Sequence, residues 1–212
     1  MVGKNDMKMA ELLCSKLCHD LISPIGAINN GLEFLGEESG EMLDEATNLI
    51  GNSARQAADR LAFFRLALGA GGSDDSVDFD TVLEITNNLA KEKKIEVNWN
   101  GADAYAHANV SKSSGKLILN LSLLAFECLP RGGQVEIALE NNSEIPDLFV
   151  SIRGEKCNLR EDVKSGLEDN VSADSLTVRN VLAYYCKNLA GFCQKTLKLQ
   201  DESPSLIVFR VT

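Results

Sequence analysis

His19 is the residue of this chain whose surroundings are best suited to nucleophilic chemistry. The local sequence is Cys18-His-Asp-Leu-Ile-Ser-Pro24, with an acid directly after the histidine and a proline shortly below it. A neutral imidazole is a good nucleophile at the pH of the cytoplasm. We expect Asp20 to hydrogen-bond one ring nitrogen of His19, which orients the ring and leaves the other nitrogen free to attack.

Pro24 lies inside a pattern that is otherwise helical. A proline in a helix interior removes the hydrogen bond to the carbonyl four residues earlier, here that of Asp20, and bends the helix. In an ordinary helix this costs roughly 3 kcal/mol. We interpret the cost as functional, with the bend loosening the backbone where the active site of a partner approaches His19.

The helical face below His19 carries one apolar residue together with small residues, amides and an acid. We name this set the docking strip: Ile22, Ser23, Gly26, Asn29, Asn30 and Glu33. A merely solvated face would favour Lys, Glu and Ala, whereas this mixture is suited to transient contact with another protein. Gly26 is a poor helix former, but it lets a foreign backbone come close.

Two long helices are predicted to position these residues. Apolar side chains step by four and three along residues 8–35 (Cys14, Cys18, Leu21, Ile25, Ile28, Leu32, Leu35) and along 41–68 (Leu43, Thr47, Ile50, Ala54, Ala57, Leu61, Phe64, Leu68). This is the seam of a coiled coil or helical bundle. The polar stretch at 36–41 is expected to be a tight turn. Because a hairpin with one apolar stripe on each helix needs a further partner, we predict a homodimer with a four-helix bundle. The alternative is that the C-terminal half covers the stripe.

The second half of the chain changes to strands that alternate with helices. A small, polar linker at 69–76 separates residues 1–70 from residues 77–212. We expect Asp80 to cap a helix through about Lys94, and a later helix to cover 175–190. The whole chain is therefore predicted to be α+β: an antiparallel helical hairpin followed by an α/β sandwich with helices on one face of its sheet.

Composition excludes several classes of function. The net charge is −10 and there is no basic run, so no nucleic-acid partner is expected. The chain has no signal-like segment and no apolar stretch of membrane-spanning length, which predicts a cytoplasmic protein without membrane contact. Cys14, Cys18 and His19 raise the alternative of a metal site, but a fourth ligand is missing nearby, and we predict no metal.

The segment Cys18–Pro24 resembles the H-box of histidine kinases. The longer string LCSKLCHDLISPIGAINNGLEFL, with Ser53-Ala-Arg-Gln-Ala and Arg65-Leu-Ala-Leu-Gly-Ala, resembles the alphaproteobacterial, ChpT-like histidine phosphotransferase family, which is related to histidine kinase cores. This resemblance implies a homodimer whose C-terminal domain is shaped like the kinase ATP-binding domain. It further implies that His19, with Asp20 as its acidic neighbour, receives a phosphoryl group from the receiver domain of a hybrid histidine kinase and passes it to response regulators.

The nucleotide-binding residues of such a kinase domain are missing from this sequence. Leu124 replaces the asparagine that would hold Mg²⁺, and Glu127 replaces a basic residue and would repel phosphates. The stretch 154–160 lacks the adenine-binding aspartate, and 174–180 has no glycine to cradle phosphate. We therefore expect no cofactor in this protein, with Mg²⁺ supplied by the partner receiver domain.

The sequence leaves several roles open. Two alternatives to phosphotransfer are a histidine kinase core fragment, which needs the missing nucleotide residues, and a non-catalytic interaction module, which leaves His19 and Pro24 unexplained. We interpret His107 as structural, because no acid adjoins it in the sequence. The roles of Arg55, Arg60 and Arg65 on the second helix, of which Arg60 should lie level with His19, are not determined by the sequence.

Overall fold

Two long helices pack antiparallel at the N-terminus. The computed structural model describes residues 3–37, 41–69, 75–141 and 143–212; the predicted turn and linker fall largely on 38–40 and 70–74, outside the described residues. Helix α1 spans Lys4–Glu37 and helix α2 spans Glu41–Ala67. They approach closely at Gly31, where an added Cβ would lie 2.6 Å from Cγ1 of Ile50. The predicted helical hairpin is therefore present.

The remaining chain forms a mixed sheet covered by helices. Its helices are α3 (Phe79–Glu92), α4 (Lys112–Glu127), α5 (Glu161–Lys164) and α6 (Val181–Phe192). Its strands are β1 (Ser76–Asp78), β2 (Ile95–Asn100), β3 (Asn109–Ser111), β4 (Gly133–Glu140), β5 (Asp147–Arg153), β6 (Leu197–Glu202) and β7 (Leu206–Val211). The main sheet has the order β2-β4-β5-β7-β6, with β2 and β4 parallel and the other pairs antiparallel. Burial alternates along β4 and β5, so one face of the sheet packs on the helices. The α+β prediction is confirmed.

Helix α4 connects the sheet to the helical hairpin. It is buried almost all round, because the sheet lies on one side of it and α2 on the other. The Asn120 amide donates to the Ala67 carbonyl at 2.9 Å, which satisfies an acceptor left over at the end of α2. Phe63 and Phe64 of α2 belong to the same hydrophobic core as α4. The C-terminal half therefore covers the apolar stripe at this end of α2, as the alternative to dimerisation predicted.

Much of the remaining stripe is open to solvent in the single chain. Ile25 and Leu32 on α1 are 49% and 53% exposed, and Leu43 and Leu61 on α2 are 46% and 51% exposed. Cys14 is exposed as well. It lies on the same stripe of α1, seven residues before Leu21 and eighteen before Leu32. Single exposed apolar residues are ordinary, but a continuous apolar face of this kind marks an interaction surface.

Two helix boundaries differ from the sequence prediction. Asp78 caps α3 instead of Asp80, because its carboxylate accepts the Thr81 N–H at 3.0 Å. The last helix begins at Val181 instead of 175. Asn180 Oδ1 accepts the Thr177 N–H at 2.7 Å. This hydrogen bond keeps residues 177–180 in a turn, so the helix begins only after them.

Candidate functional site

His19 is presented to solvent on the outer side of α1. Its side chain is 85% exposed, whereas that of Asp20 is only 29% exposed. The distance from His19 Nδ1 to Asp20 Oδ1 is 3.4 Å, which is long for a hydrogen bond but close enough for the carboxylate to attract a cationic ring. This contact leaves the second ring nitrogen, Nε2, free to react.

The docking strip lies on the same outer face of α1. Ile22 is 68% exposed, and a Cβ built on Gly26 would meet no atom within 4 Å beyond its own turn of helix backbone and its chain neighbours. The other members of the strip are also exposed: Ser23, Asn29, Asn30 and Glu33. The Ile22 side chain and the open space above Gly26 are therefore accessible to another protein. That a partner binds there stays a prediction.

A groove of about 390 Å³ runs beside His19 between α1 and the C-terminal half. Lys16 and Asp20 line it from α1, and Glu127, Arg160 and Arg179 are among the residues that line it from the other side. Sequence reasoning placed no C-terminal residue next to His19. The histidine therefore lies at the edge of a polar groove to which both halves of the chain contribute.

The charges in this groove are paired. Lys16 forms an ion pair with Glu127, which was expected only to repel phosphate and here also joins α4 to α1. Arg160 binds Asp162 at 2.8 Å, and Arg179 approaches the same carboxylate at 3.4 Å. The hydrogen bond from Arg160, followed by the charges of both arginines, lowers the pKa of Asp162. The two guanidinium groups are thus held near His19 by one acid that stays ionised.

Only part of this groove has a signal in the sequence. Lys16 lies one helical turn before His19, so helical spacing places it on a neighbouring part of the same face. Arg160 and Arg179 come after β5 in the sequence, and no local pattern around them connects them with α1. Their position is a result of tertiary packing.

The backbone next to His19 is held by a hydrogen bond that the sequence did not reveal. Helix α1 continues through Pro24, which is buried. The Asp20 carbonyl, which Pro24 deprives of its helical donor, accepts a hydrogen bond from Arg60 Nη1 of α2. Arg60 is also paired with Glu92 at the end of α3. The carbonyl that Pro24 deprives of its helical donor is therefore not left without a partner, because α2 supplies one; a looser backbone at this turn stays a prediction.

The other arginines of α2 and the second histidine lie elsewhere. Arg65 lines a separate apolar groove, and Arg55 is exposed on α2. His107 has a left-handed backbone conformation with φ at 57°, and its Nδ1 lies 2.7 Å from Oδ2 of Asp80. An acidic partner is therefore present, although none adjoins His107 in the sequence.

The described residues offer neither a metal site nor a membrane-spanning helix. These residues contain no group of three or more His, Cys, Asp or Glu side chains that could hold a metal ion. Every helix in this part of the chain is too short or too polar to cross a bilayer. Leu124, which the resemblance to kinase cores places opposite a Mg²⁺-binding asparagine, is fully buried in the core.

Comparisons with known proteins agree with this architecture. Residues 79–204 match the family model of the histidine phosphotransferase C-terminal domain. The protein phosphotransferase ChpT of Brucella abortus (strain 2308) is 38% identical over 149 residues, which cover 70% of this chain and 68% of that protein. The solved structure of a bacterial phosphotransferase matches with a TM-score of 0.83 and 32% identity, over 97% of this chain and 96% of the other.

Histidine kinases are more distant. The kinase AdeS of Acinetobacter baumannii is 13% identical and has a TM-score of 0.42, over 91% of this chain and 95% of that chain. The predicted family is confirmed by the model match and by the Brucella relative, and this chain belongs to the histidine phosphotransferase family.

Proposed function

We propose that this protein accepts a phosphoryl group on His19 from the receiver domain of a hybrid histidine kinase and passes it to the aspartate of response regulators. The observation that carries the proposal is the presentation of His19. Its side chain is 85% exposed on a long helix, with a carboxylate 3.4 Å from Nδ1. The only other histidine of the chain, His107, lies in a loop and is paired with Asp80.

The chemistry needs only a nucleophile from this chain. The lone pair of His19 Nε2 attacks phosphorus, the N–P bond forms, and the P–O bond to the donor aspartate breaks, its electron pair leaving with the carboxylate. The ring becomes cationic, and the neighbouring Asp20 carboxylate stabilises that charge. In the second transfer an aspartate oxygen of the response regulator attacks, the N–P bond breaks, and neutral imidazole is restored. No proton transfer is required in either step.

Partners are expected to dock on the strip and on the groove beside it. The docking strip offers Ile22 as an apolar contact and Gly26 as a point of close approach. Arg160 and Arg179 of the groove carry positive charge next to the site where a dianionic phosphoryl group moves. Phosphoryl transfer depends mainly on positioning and on neutralising the charge of the moving group.

A second copy of this chain is the expected occupant of the open apolar face. A groove of about 560 Å³ on this face includes Leu13, Cys14 and Leu17 of α1 and Leu61 of α2. Since both helices contribute to the same groove, the hairpin of a second copy can bury both stripes at once. The resulting dimer is a four-helix bundle.

We expect that the C-terminal half binds no nucleotide and that the protein has no autokinase activity. Leu124 is fully buried and offers no oxygen ligand to Mg²⁺. The Glu127 carboxylate is engaged by Lys16 and adds negative charge to the groove. The Mg²⁺ that phosphoryl transfer requires is expected to come from the partner receiver domain.

The two histidines provide a matched test of the phosphoacceptor. Receiver domains of hybrid kinases are charged with radiolabelled acetyl phosphate and mixed with wild-type protein, His19→Gln or His107→Gln. We expect acid-labile, alkali-stable label on the wild type and on His107→Gln, and none on His19→Gln. Acid-labile label on His19→Gln would overturn the assignment of the phosphoacceptor. Label that the wild type takes from ATP without a donor protein would favour a kinase instead.

A further inference from the structure

The backbone carbonyl beside the phosphoacceptor has an unusual donor. Pro24 has no N–H, so the Asp20 carbonyl lacks the helical hydrogen bond that every neighbouring turn makes. A carbonyl without a partner at a half-buried site is costly. In this structure the Arg60 guanidinium donates to it through Nη1, and therefore replaces the donor that the proline removed.

Arg60 is fixed from the opposite side by the C-terminal half. Its Nε donates to Glu92 Oε2 at 3.2 Å, and its Nη2 pairs with Glu92 Oε1. The Arg60 and Glu92 side chains are only 19% and 12% exposed. A two-point pair between guanidinium and carboxylate fixes the plane of the guanidinium as well as its position. Its remaining Nη1 donor is consequently aimed at α1.

The surroundings of this contact are tightly enclosed. Asp20 and Arg60 line a cavity of about 160 Å³ with Phe63, Phe64 and Leu89, among other residues. The three named apolar side chains are buried in the main core. The helical turn that carries His19 is therefore tied, through one carbonyl and one arginine, to the packed junction between hairpin and sheet.

We propose that Arg60, held by Glu92, is a positioning residue that sets the orientation of His19 for phosphoryl transfer. It acts through the Asp20 carbonyl, one residue after the nucleophile, and touches neither the ring nor the phosphoryl group. The proposal rests on His19 being the phosphoacceptor, as proposed above. It also gives a function to the C-terminal half, from which the nucleotide-binding residues are missing. Glu92 at the end of α3 fixes Arg60, and Arg60 in turn fixes the helical turn that carries His19.

Arginine and lysine are not equivalent in this role. Arginine supplies a rigid fork for Glu92 and a further donor for the carbonyl, whereas lysine is a single point charge on a flexible stem. Arg60→Met removes both contacts and keeps much of the apolar stem. Glu92→Gln keeps the shape of the acid but weakens the fork, so Arg60 stays next to the carbonyl with less restraint.

The test separates the rate of transfer from binding and from folding. Each variant is charged on His19 with phosphoramidate, which needs no donor protein. It is then mixed with Mg²⁺ and a series of concentrations of a receiver domain that takes label from the wild type. Rapid quenching gives the first-order rate constant at saturation and the half-saturating receiver concentration. The variants are Arg60→Met, Arg60→Lys and Glu92→Gln; the matched controls are Arg153→Met and Glu84→Gln, which change exposed residues on β5 and α3.

A misplacement of about 1 Å costs on the order of 100-fold in rate when positioning is critical. We expect Arg60→Met to lower the saturating rate constant by about 10- to 100-fold, with a half-saturating concentration within about twofold of the wild type. Arg60→Lys should recover part of the loss, and Glu92→Gln should lose less than Arg60→Met. The double variant Arg60→Met/Glu92→Gln should be no slower than Arg60→Met alone, because the two residues act as one unit. Both controls should match the wild type.

A purely structural role would change different quantities. Partial unfolding would lower the circular dichroism signal and the total amount of label passed to the receiver domain, and would leave the rate constant of the folded fraction unchanged. If Arg60→Met does not fold, Glu92→Gln and Arg60→Lys test the same contact. Wild-type rate constants in all folded variants would overturn the proposal. Transfer that persists in His19→Gln would instead overturn the assignment of the phosphoacceptor.

Discussion

Dimerisation is the prediction that connects most directly to the exposed surface of the hairpin. Ile25 is 49% exposed in the single chain and lies on the stripe that also contains Leu32 and Leu61. We predict that Ile25→Asp dissociates the dimer while each chain stays folded. About half of the side chain is covered by its own chain, and the exposed half is the part that the interface would bury.

The magnitude follows from the exposed fraction. Complete burial of an isoleucine contributes roughly 1.5–3 kcal/mol, so burial of the remaining half contributes about 1 kcal/mol. A symmetric interface contains the residue twice, which gives about 2 kcal/mol, or roughly a 30-fold change in the dissociation constant. Two buried carboxylates add a desolvation cost, so roughly 30-fold is a lower bound.

Sedimentation equilibrium over a range of protein concentrations measures this shift. Asn30→Asp is the matched control, because it adds the same charge to an exposed position of α1 that lies about 140° around the helix from Ile25. We expect the control to dimerise like the wild type and both variants to keep the wild-type circular dichroism. A wild type that is monomeric at all concentrations, or an Ile25→Asp variant that dimerises equally well, would refute the reasoning.

Four further outcomes are expected. Asp20→Asn should slow transfer by on the order of 100-fold, as expected for a lost charge next to the reacting ring; an unchanged rate would leave Asp20 a simple surface acid. Gly26→Arg should weaken receiver binding without changing the dimer, and normal transfer would move the docking surface elsewhere. Iodoacetamide should react with Cys14 and Cys18, which are exposed, at a rate that decreases with dimerisation. Burial raises the pKa of Cys128 to about 12, so this thiol should stay unreactive below pH ~10 unless the chain unfolds; equal labelling of all thiols would contradict the buried core. Calorimetry with millimolar ATP and Mg²⁺ should detect no binding, and micromolar affinity would support a divergent kinase.

The sequence was most informative where structure follows a local period. Steps of four and three predict both helices of the hairpin, because side chains at these spacings share one face of a helix. The same spacing places His19 beside the apolar seam, and in the structure its side chain is largely exposed. Predictions that required a choice between two similar residues close together in the sequence were less accurate. Asp78 and Asp80 are both plausible caps, and the backbone of Thr81 selects the first.

Contacts between distant segments could not be predicted from the sequence. Lys16 and Glu127 are 111 residues apart, and Arg60 and Glu92 are 32 apart. No periodicity connects such pairs, because their meeting depends on how α1, α2, α3 and α4 pack together. For the same reason the contact at Pro24 could not be predicted: the chain next to the proline cannot show that an arginine from α2 supplies the missing donor.

The sequence by itself therefore determined the nucleophile candidate, the helix that carries it and the class of fold. These properties are set by neighbouring residues and by helical geometry. The tertiary structure alone decided which groups surround His19: the groove with Arg160 and Arg179, and the arginine that binds the Asp20 carbonyl. The physical reason is that charge pairing and hydrogen bonding act over a few ångströms in space, irrespective of the distance along the chain.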